Sequence, residues 1–142
     1  MKILKILLFS LLGAISIYIV VNLFFEDKFE VERSIEINTS PIVVFEQINN
    51  FKNWESWDPW LQNEPSMKLQ YNEIPSGVGA MKMWQSENSS NGKMEIVESS
   101  FIHFIKTKVS IEGWNSFNGS ITLKSSKDGV IVSWKNTGDL DF

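Results

Sequence analysis

The stretch VERSIEINTSPIVVFEQINNFKNWESWDPW, residues 31–60, changes its period twice, and those changes decide the fold. Val31, Arg33, Ile35 and Ile37 alternate with Glu32, Ser34 and Glu36. A period of two sends successive side chains to opposite faces, so this is a half-buried strand that begins near Phe29. From Ser40 the apolar positions Val44, Phe45, Ile48 and Phe51 recur at spacings of three and four. That spacing gathers them on one face of a helix. Ser40 can cap its first turn, and Pro41 suits the first helical position, where no N–H is needed. The end of the stretch, NWESWDPW, carries Trp54, Trp57 and Trp60. Their spacing predicts a second short helix, or helical turns, with the rings near one stripe. Pro59 should interrupt it near Trp57 or Asp58, because a proline disfavours the α conformation in the residue before it.

Beyond residue 67 the pattern is strand after strand, with turns at SGVGA, ENSSNG and Asp128-Gly129. Met67, Leu69 and Tyr71 share a face. So do Met81 and Met83, Met94 and Ile96, and Phe117, Gly119, Ile121 and Leu123. FIHFIKTKVSIEG reads as one long strand with Phe101, His103, Ile105, Thr107, Val109 and Ile111 inward. The last strand turns Val130, Val132 and Trp134 to the same side. One strand, two short helices and six further strands make an α+β domain built on an antiparallel meander. A sheet of that width curls, and one face needs cover.

The N-terminal segment has a different composition. After Lys2 and Lys5, residues 6–25 read ILLFSLLGAISIYIVVNLFF, with no charged side chain. A helix of about 20 residues rises roughly 30 Å, enough to cross the hydrocarbon core of a bilayer. The reading is a transmembrane anchor over 1–25 and a domain over 26–142. The lysines before the apolar run, and Glu26 and Asp27 after it, place the N-terminus in the cytoplasm and the domain on the extracytoplasmic side. A cleaved signal peptide is the competing reading. Ala14-Ile15-Ser16 offers a small-x-small site, but the apolar run continues past it.

Composition excludes several chemistries. The chain of 142 residues has no cysteine and one histidine, so disulfides, thiolate catalysis and a structural zinc site are not expected. The formal charge is −4, with no basic block, which argues against a nucleic-acid partner. Lys2 and Lys5 belong to the anchor, so the domain is more acidic still and has no electrostatic attraction to an anionic membrane. SGVGA lacks the Lys-Ser/Thr ending and the following helix of a phosphate loop, and is read as a turn. The Asn-x-Ser/Thr triplets at Asn38, Asn88 and Asn118 match the glycosylation pattern, which arises often by chance.

Residues 29 to about 140 resemble the START-like helix-grip (SRPBCC) superfamily, and within it the polyketide cyclase/dehydrase-type proteins. The resemblance rests on the order and spacing of residues 31–60, GVGAMKMWQ, GKMEIVES and VIVSWKNTGDL. It implies a curved antiparallel sheet gripping a long C-terminal helix, with an apolar cavity between them. In this chain no such helix follows VIVSWKN; the sequence stops at GDLDF. Either the chain is a truncated product or the cover comes from elsewhere, and self-association through the uncovered sheet face is expected.

The candidate cavity residues are Trp54, Trp57, Trp60, Tyr71, Met81, Met83, Phe101, His103, Ile105 and Trp134. The tryptophans either wall a cavity mouth or plug the corner where helices meet sheet. The methionines either accommodate varied apolar ligands or fill an irregular core. Tyr71, His103 and Trp134 could supply polar contacts. His103 has no inward acid within two positions to orient it as a base, so no catalytic residue is assigned. The leading function is binding of a small apolar or lipid-like ligand, with no cofactor or metal. A cyclase or dehydratase, and a protein-interaction module without ligand, are the alternatives.

Overall fold

A computed structural model describes residues 2–24 and 28–139; in the N-terminal helix the described side chains are those of residues 3, 7, 9–18 and 20. Helix α1 (Lys2–Phe24) leads into strand β1 (Lys28–Ile37). Helix α2 (Pro41–Asn49), a 3-10 turn (Asn53–Ser56) and helix α3 (Pro59–Asn63) follow. Strands β2 (Lys68–Tyr71), β3 (Met81–Gln85), β4 (Gly92–Ser100), β5 (Phe104–Ile111), β6 (Phe117–Ser125) and β7 (Val130–Asp139) come next.

The seven strands form one antiparallel sheet in the order β1-β7-β6-β5-β4-β3-β2. β1 and β2 are thus its opposite edges, and the segment between them must cross the sheet. That crossing is α2, the 3-10 turn and α3, laid over the concave face. Val44, Phe45 and Ile48 of α2, with Phe51 and Trp54, pack on Ala80, Ile96, Ile105, Ile121, Leu123 and Val130. Their period of three and four meets the strands' period of two along this one contact, as the apolar spacing predicted.

Local chemistry differs from expectation at four places. Ser40 holds the N-cap position of α2, but its side chain makes no capping bond; its carbonyl receives the Val43 and Val44 N–H groups. Pro59 interrupts the helical segment at Trp57 and Asp58, as expected, but it also opens a new helix: it is the first residue of α3, capped by Asp58, whose Oδ1 accepts from the Trp60 N–H at 3.0 Å. The long strand expected from Phe101 begins only at Phe104. Residues 101–103 form the β4–β5 turn, with Ile102 at φ 54°. β1 is not half-buried. Its register puts Ile35 opposite Val132 and Ile37 opposite Val130, on the concave side, yet Val31 and Ile35 are 48% and 64% exposed. The short helices do not reach this edge, and among the described residues no helix follows β7.

The expected transmembrane helix is corrected to a narrower statement. Residues 2–24 are helical, but among the described residues no helix is long and apolar enough to cross a membrane. The unbroken described side chains of α1 run only from Phe9 to Tyr18, and the remainder of the expected span lies largely outside the described residues.

The β6–β7 turn lies against the end of β1. A Cβ on Gly129 would collide with the Ile37 carbonyl oxygen, and φ there is 156°. Gly113, in the β5–β6 turn, has φ 83° and open space around it. Gly129→Ala should therefore destabilise the domain by about 1–3 kcal/mol through backbone displacement, with an added share from dihedral strain. Gly113→Ala should cost about 1 kcal/mol, from dihedral strain alone. Urea denaturation of both variants checks the order.

Candidate binding face

The three tryptophans of NWESWDPW meet a fourth from the far end of the chain. Trp54 is buried at 2% exposure, and its Nε1 donates to the Ile48 carbonyl at 3.0 Å. Its ring lies 5.2 Å from Phe51, 4.7 Å from Trp57 and 5.5 Å from Trp134 on β7. Trp57 and Trp60 stand edge-on to Trp134 at 6.3 and 6.4 Å. Such edge-to-face pairs are favoured by the ring quadrupoles. The rings nevertheless do different work. Trp54 is core. Trp60 is 61% exposed although it lies inside α3. Trp57 lies between them, and its buried Nε1 has no hydrogen-bond partner among the described residues. A buried N–H without an acceptor costs roughly 1–3 kcal/mol, so its lack of a partner needs an explanation.

Beside this cluster lies a buried ion pair that the sequence reading missed. Lys82 Nζ donates to Asp58 Oδ2 at 2.6 Å, and the two side chains are 7% and 9% exposed. The ammonium also sits 4.9 Å from the Trp54 ring centre, in cation–π range. Asp58 thus does two jobs. One oxygen caps α3, and the other ties that helix to β3. The missed signal was phase. In AMKMW the alternation can be read with Met81 and Met83 inward or with Ala80, Lys82 and Trp84 inward. The pairing of Lys82 with Met94 and of Trp84 with Gly92 selects the second.

That choice removes Met81 and Met83 from the candidate site. Both point to the convex face, where Met83 lines an open depression of about 430 Å³ with Lys68, Gln70 and Lys93. His103 is also removed: it is exposed in the β4–β5 turn, because the strand starts after it. Phe101, in the same turn, is 64% exposed and stacks edge-on against Phe45 of α2 at 5.3 Å. Ile105 faces inward as expected but lies wholly beneath α2, as core rather than cavity wall. Tyr71 faces the cluster, and its hydroxyl donates to Glu55 Oε1 at 2.7 Å. Burial, then the Glu55 carboxylate, push its phenol above the ordinary tyrosine range, so it remains a neutral donor. The concave face thus joins Trp54, Trp57, Trp60, Tyr71 and Trp134 and adds Asp58 and Lys82. Among the described residues no group of three or more His, Cys, Asp or Glu could hold a metal.

No family profile matches the chain, and no curated protein matches it. Solved structures do. Ginseng major latex-like protein 151 from Panax ginseng is 16% identical, with a TM-score of 0.59 over 79% of each chain. Ara h 8.0201 is 13% identical, with a TM-score of 0.58 over 81% of this chain and 82% of its own. SA2116, a protein of unknown function from Staphylococcus aureus, is 11% identical, with a TM-score of 0.63 over 81% of this chain and 72% of its own. At such identities the likeness shows the fold alone: an antiparallel sheet with helices laid across one face.

Replacing Lys82 with Met leaves Asp58 buried and unpaired, and should cost about 3–5 kcal/mol. The double variant Asp58→Asn, Lys82→Met keeps the cap and removes both charges, so it should recover most of that loss. Urea midpoints of the single and double variants give the comparison. Equal losses would show that the pair is not what joins α3 to β3.

Proposed function

We propose that the concave face binds a small, largely apolar molecule in the strip that the helices leave uncovered. The observation that carries this reading is the row Val31 and Ile35 of β1, exposed beside Val132 and Trp134 of β7 and on the same side as the core. Apolar side chains aligned on a concave surface, flanked by rings and a few polar groups, are the usual lining of a small-molecule site. The unpartnered Trp57 Nε1 supports the same reading, because a ligand oxygen would satisfy it. The helix-grip fold is consistent with such a role, as the resemblance to SRPBCC proteins implied. A cyclase or dehydratase would need an acid and a base able to reach a substrate. His103 faces solvent, and both Asp58 oxygens are engaged by Lys82 and the Trp60 N–H.

Ile35 is the residue to test. It is exposed, so Ile35→Asn should leave the fold intact while breaking the apolar strip. The full chain should bind the neutral dye Nile red, and the variant should bind it about tenfold more weakly, the value of one buried aliphatic side chain. Equal binding by the two proteins would place the dye elsewhere and remove this reading.

Residues 1–25 are proposed as a membrane anchor, with the domain extracytoplasmic. The support is the uncharged run at residues 6–25 and the exposure of Phe9, Leu11, Leu12, Ile15 and Ile17 around α1. A helix apolar on all sides is unstable in water unless lipid or protein covers it. The full chain should stay with membranes through carbonate extraction. A soluble product with a new N-terminus near Ile17 would instead mark a cleaved signal.

A further inference from the structure

The two edges of the sheet are built differently. β2 closes one edge with four residues, and β1 closes the other with ten. Ten residues make an edge of about 33 Å. A free edge is a template for another strand, and proteins blunt it with short strands, prolines, bulges or cover. β2 is short. β1 has none of these protections. KFEVERSIEI holds no proline and no glycine, and its pairing with β7 runs through all ten positions without a shift. No described element pairs with its outer side.

The ladder fixes which backbone groups are free. The Ile37 carbonyl points toward β7: a Cβ on Gly129, in the β6–β7 turn, would collide with its oxygen. Backbone groups of successive strand residues point to opposite edges. The odd-numbered residues of β1 therefore bond to β7, and Glu30, Glu32, Ser34 and Glu36 turn their N–H and C=O groups outward. One of these outward carbonyls, that of Glu32, accepts from Arg33 Nη1 at 2.8 Å, so this edge already draws a cationic donor.

The side chains of the same row set what can pair there. Glu32 and Glu36 are exposed on the convex side and make no ion pair among the described residues, whereas Glu30 is held by Lys135 at 2.7 Å. Val31 and Ile35 are exposed on the concave side. A second copy of β1 is a poor match. Antiparallel self-pairing that joins outward groups to outward groups centres on residue 32, 33 or 34. The first sets Glu32 against Glu32, the second Glu30 against Glu36, and the third Glu32 against Glu36. Like charges directly opposite one another are destabilising, and opposite charges are stabilising.

We propose that the free edge of β1 takes an extended segment of a partner protein in antiparallel pairing, with basic side chains four residues apart over Glu32 and Glu36 and apolar ones beside Val31 and Ile35. Main-chain bonds to the outward groups hold the segment, and its alternating side chains select it. The proposal stands apart from the small-molecule reading, because it uses the outer edge of β1, which that reading does not.

The test uses three fluorescein-labelled heptapeptides and the full chain, read by anisotropy with sedimentation in parallel. The first alternates lysine and valine. The second has glutamate in place of lysine. The third is the lysine peptide N-methylated at the lysine amides, which face β1 in this pairing. The lysine peptide should bind about tenfold more tightly than the glutamate peptide, the value of two exposed ion pairs. N-methylation should abolish its binding. The double variant Glu32→Lys, Glu36→Lys should reverse the preference, a gain for the glutamate peptide that an unfolded chain would not give. Equal binding of the two peptides, or a lysine preference that survives the double variant, would remove the basic partner. Binding that N-methylation leaves unchanged would show attachment without strand pairing. Binding of neither peptide, or a dimer of the chain that excludes the lysine peptide, would leave the edge idle or give it to a second copy. Each of these results overturns the proposal.

Discussion

Asp58 and Lys82 hold the crossing segment to the sheet, and most of the concave face depends on that contact. The segment that runs from one edge strand to the other is built of three short helical pieces. Pieces this short have little stability of their own, since helix nucleation is unfavourable and propagation adds little over one or two turns. They need tertiary anchors. α2 has one in its apolar face on β4 to β7. α3 buries no residue and has instead the Asp58 carboxylate, which caps it and binds β3. The same ammonium rests on the Trp54 ring, so ion pair, cap and ring cluster form one unit. A buried ion pair of this kind is weak as a source of net stability, because desolvating two charges offsets their attraction. Its contribution is positional: it fixes where Trp57 and Trp60 stand relative to Trp134.

The other constraint is cover. A seven-stranded sheet has more concave surface than these helices can occlude. Their apolar side chains are spent on the middle strands, where Ile96, Ile105, Ile121 and Val130 are buried to 2% or less. The β1 edge receives none of that cover. What remains there is an apolar strip, Val31 and Ile35, with Arg33 between them. Core and candidate site are thus continuous, and the tryptophans belong to both: Trp54 on the core side, Trp60 on the open side, Trp57 and Trp134 at the boundary. The choice between rings that plug a corner and rings that wall a site is made ring by ring.

The periods written in residues 31–60 and in the later strands determined the element order, the antiparallel meander and the core face of α2. Those features follow from local spacing alone: a helix or a strand shows its buried side in a single segment. The sequence also placed Trp54, Trp57, Tyr71 and Trp134 toward one another's side of the sheet. Only the tertiary structure decided the rest. Met81 and Met83 could be told from Lys82 only by the partner strand, because a slip of one residue exchanges the two faces and a short Met-Lys-Met run suits either. His103 left the site because the β4–β5 turn claims residues 101–103, a matter of pairing register rather than composition. The Asp58–Lys82 pair joins residues far apart in sequence, and so does the close packing of Thr107 and Asn136 over Gly119. No local pattern announces such groups. They exist because the chain crosses its own sheet and brings separate strands and turns to one surface.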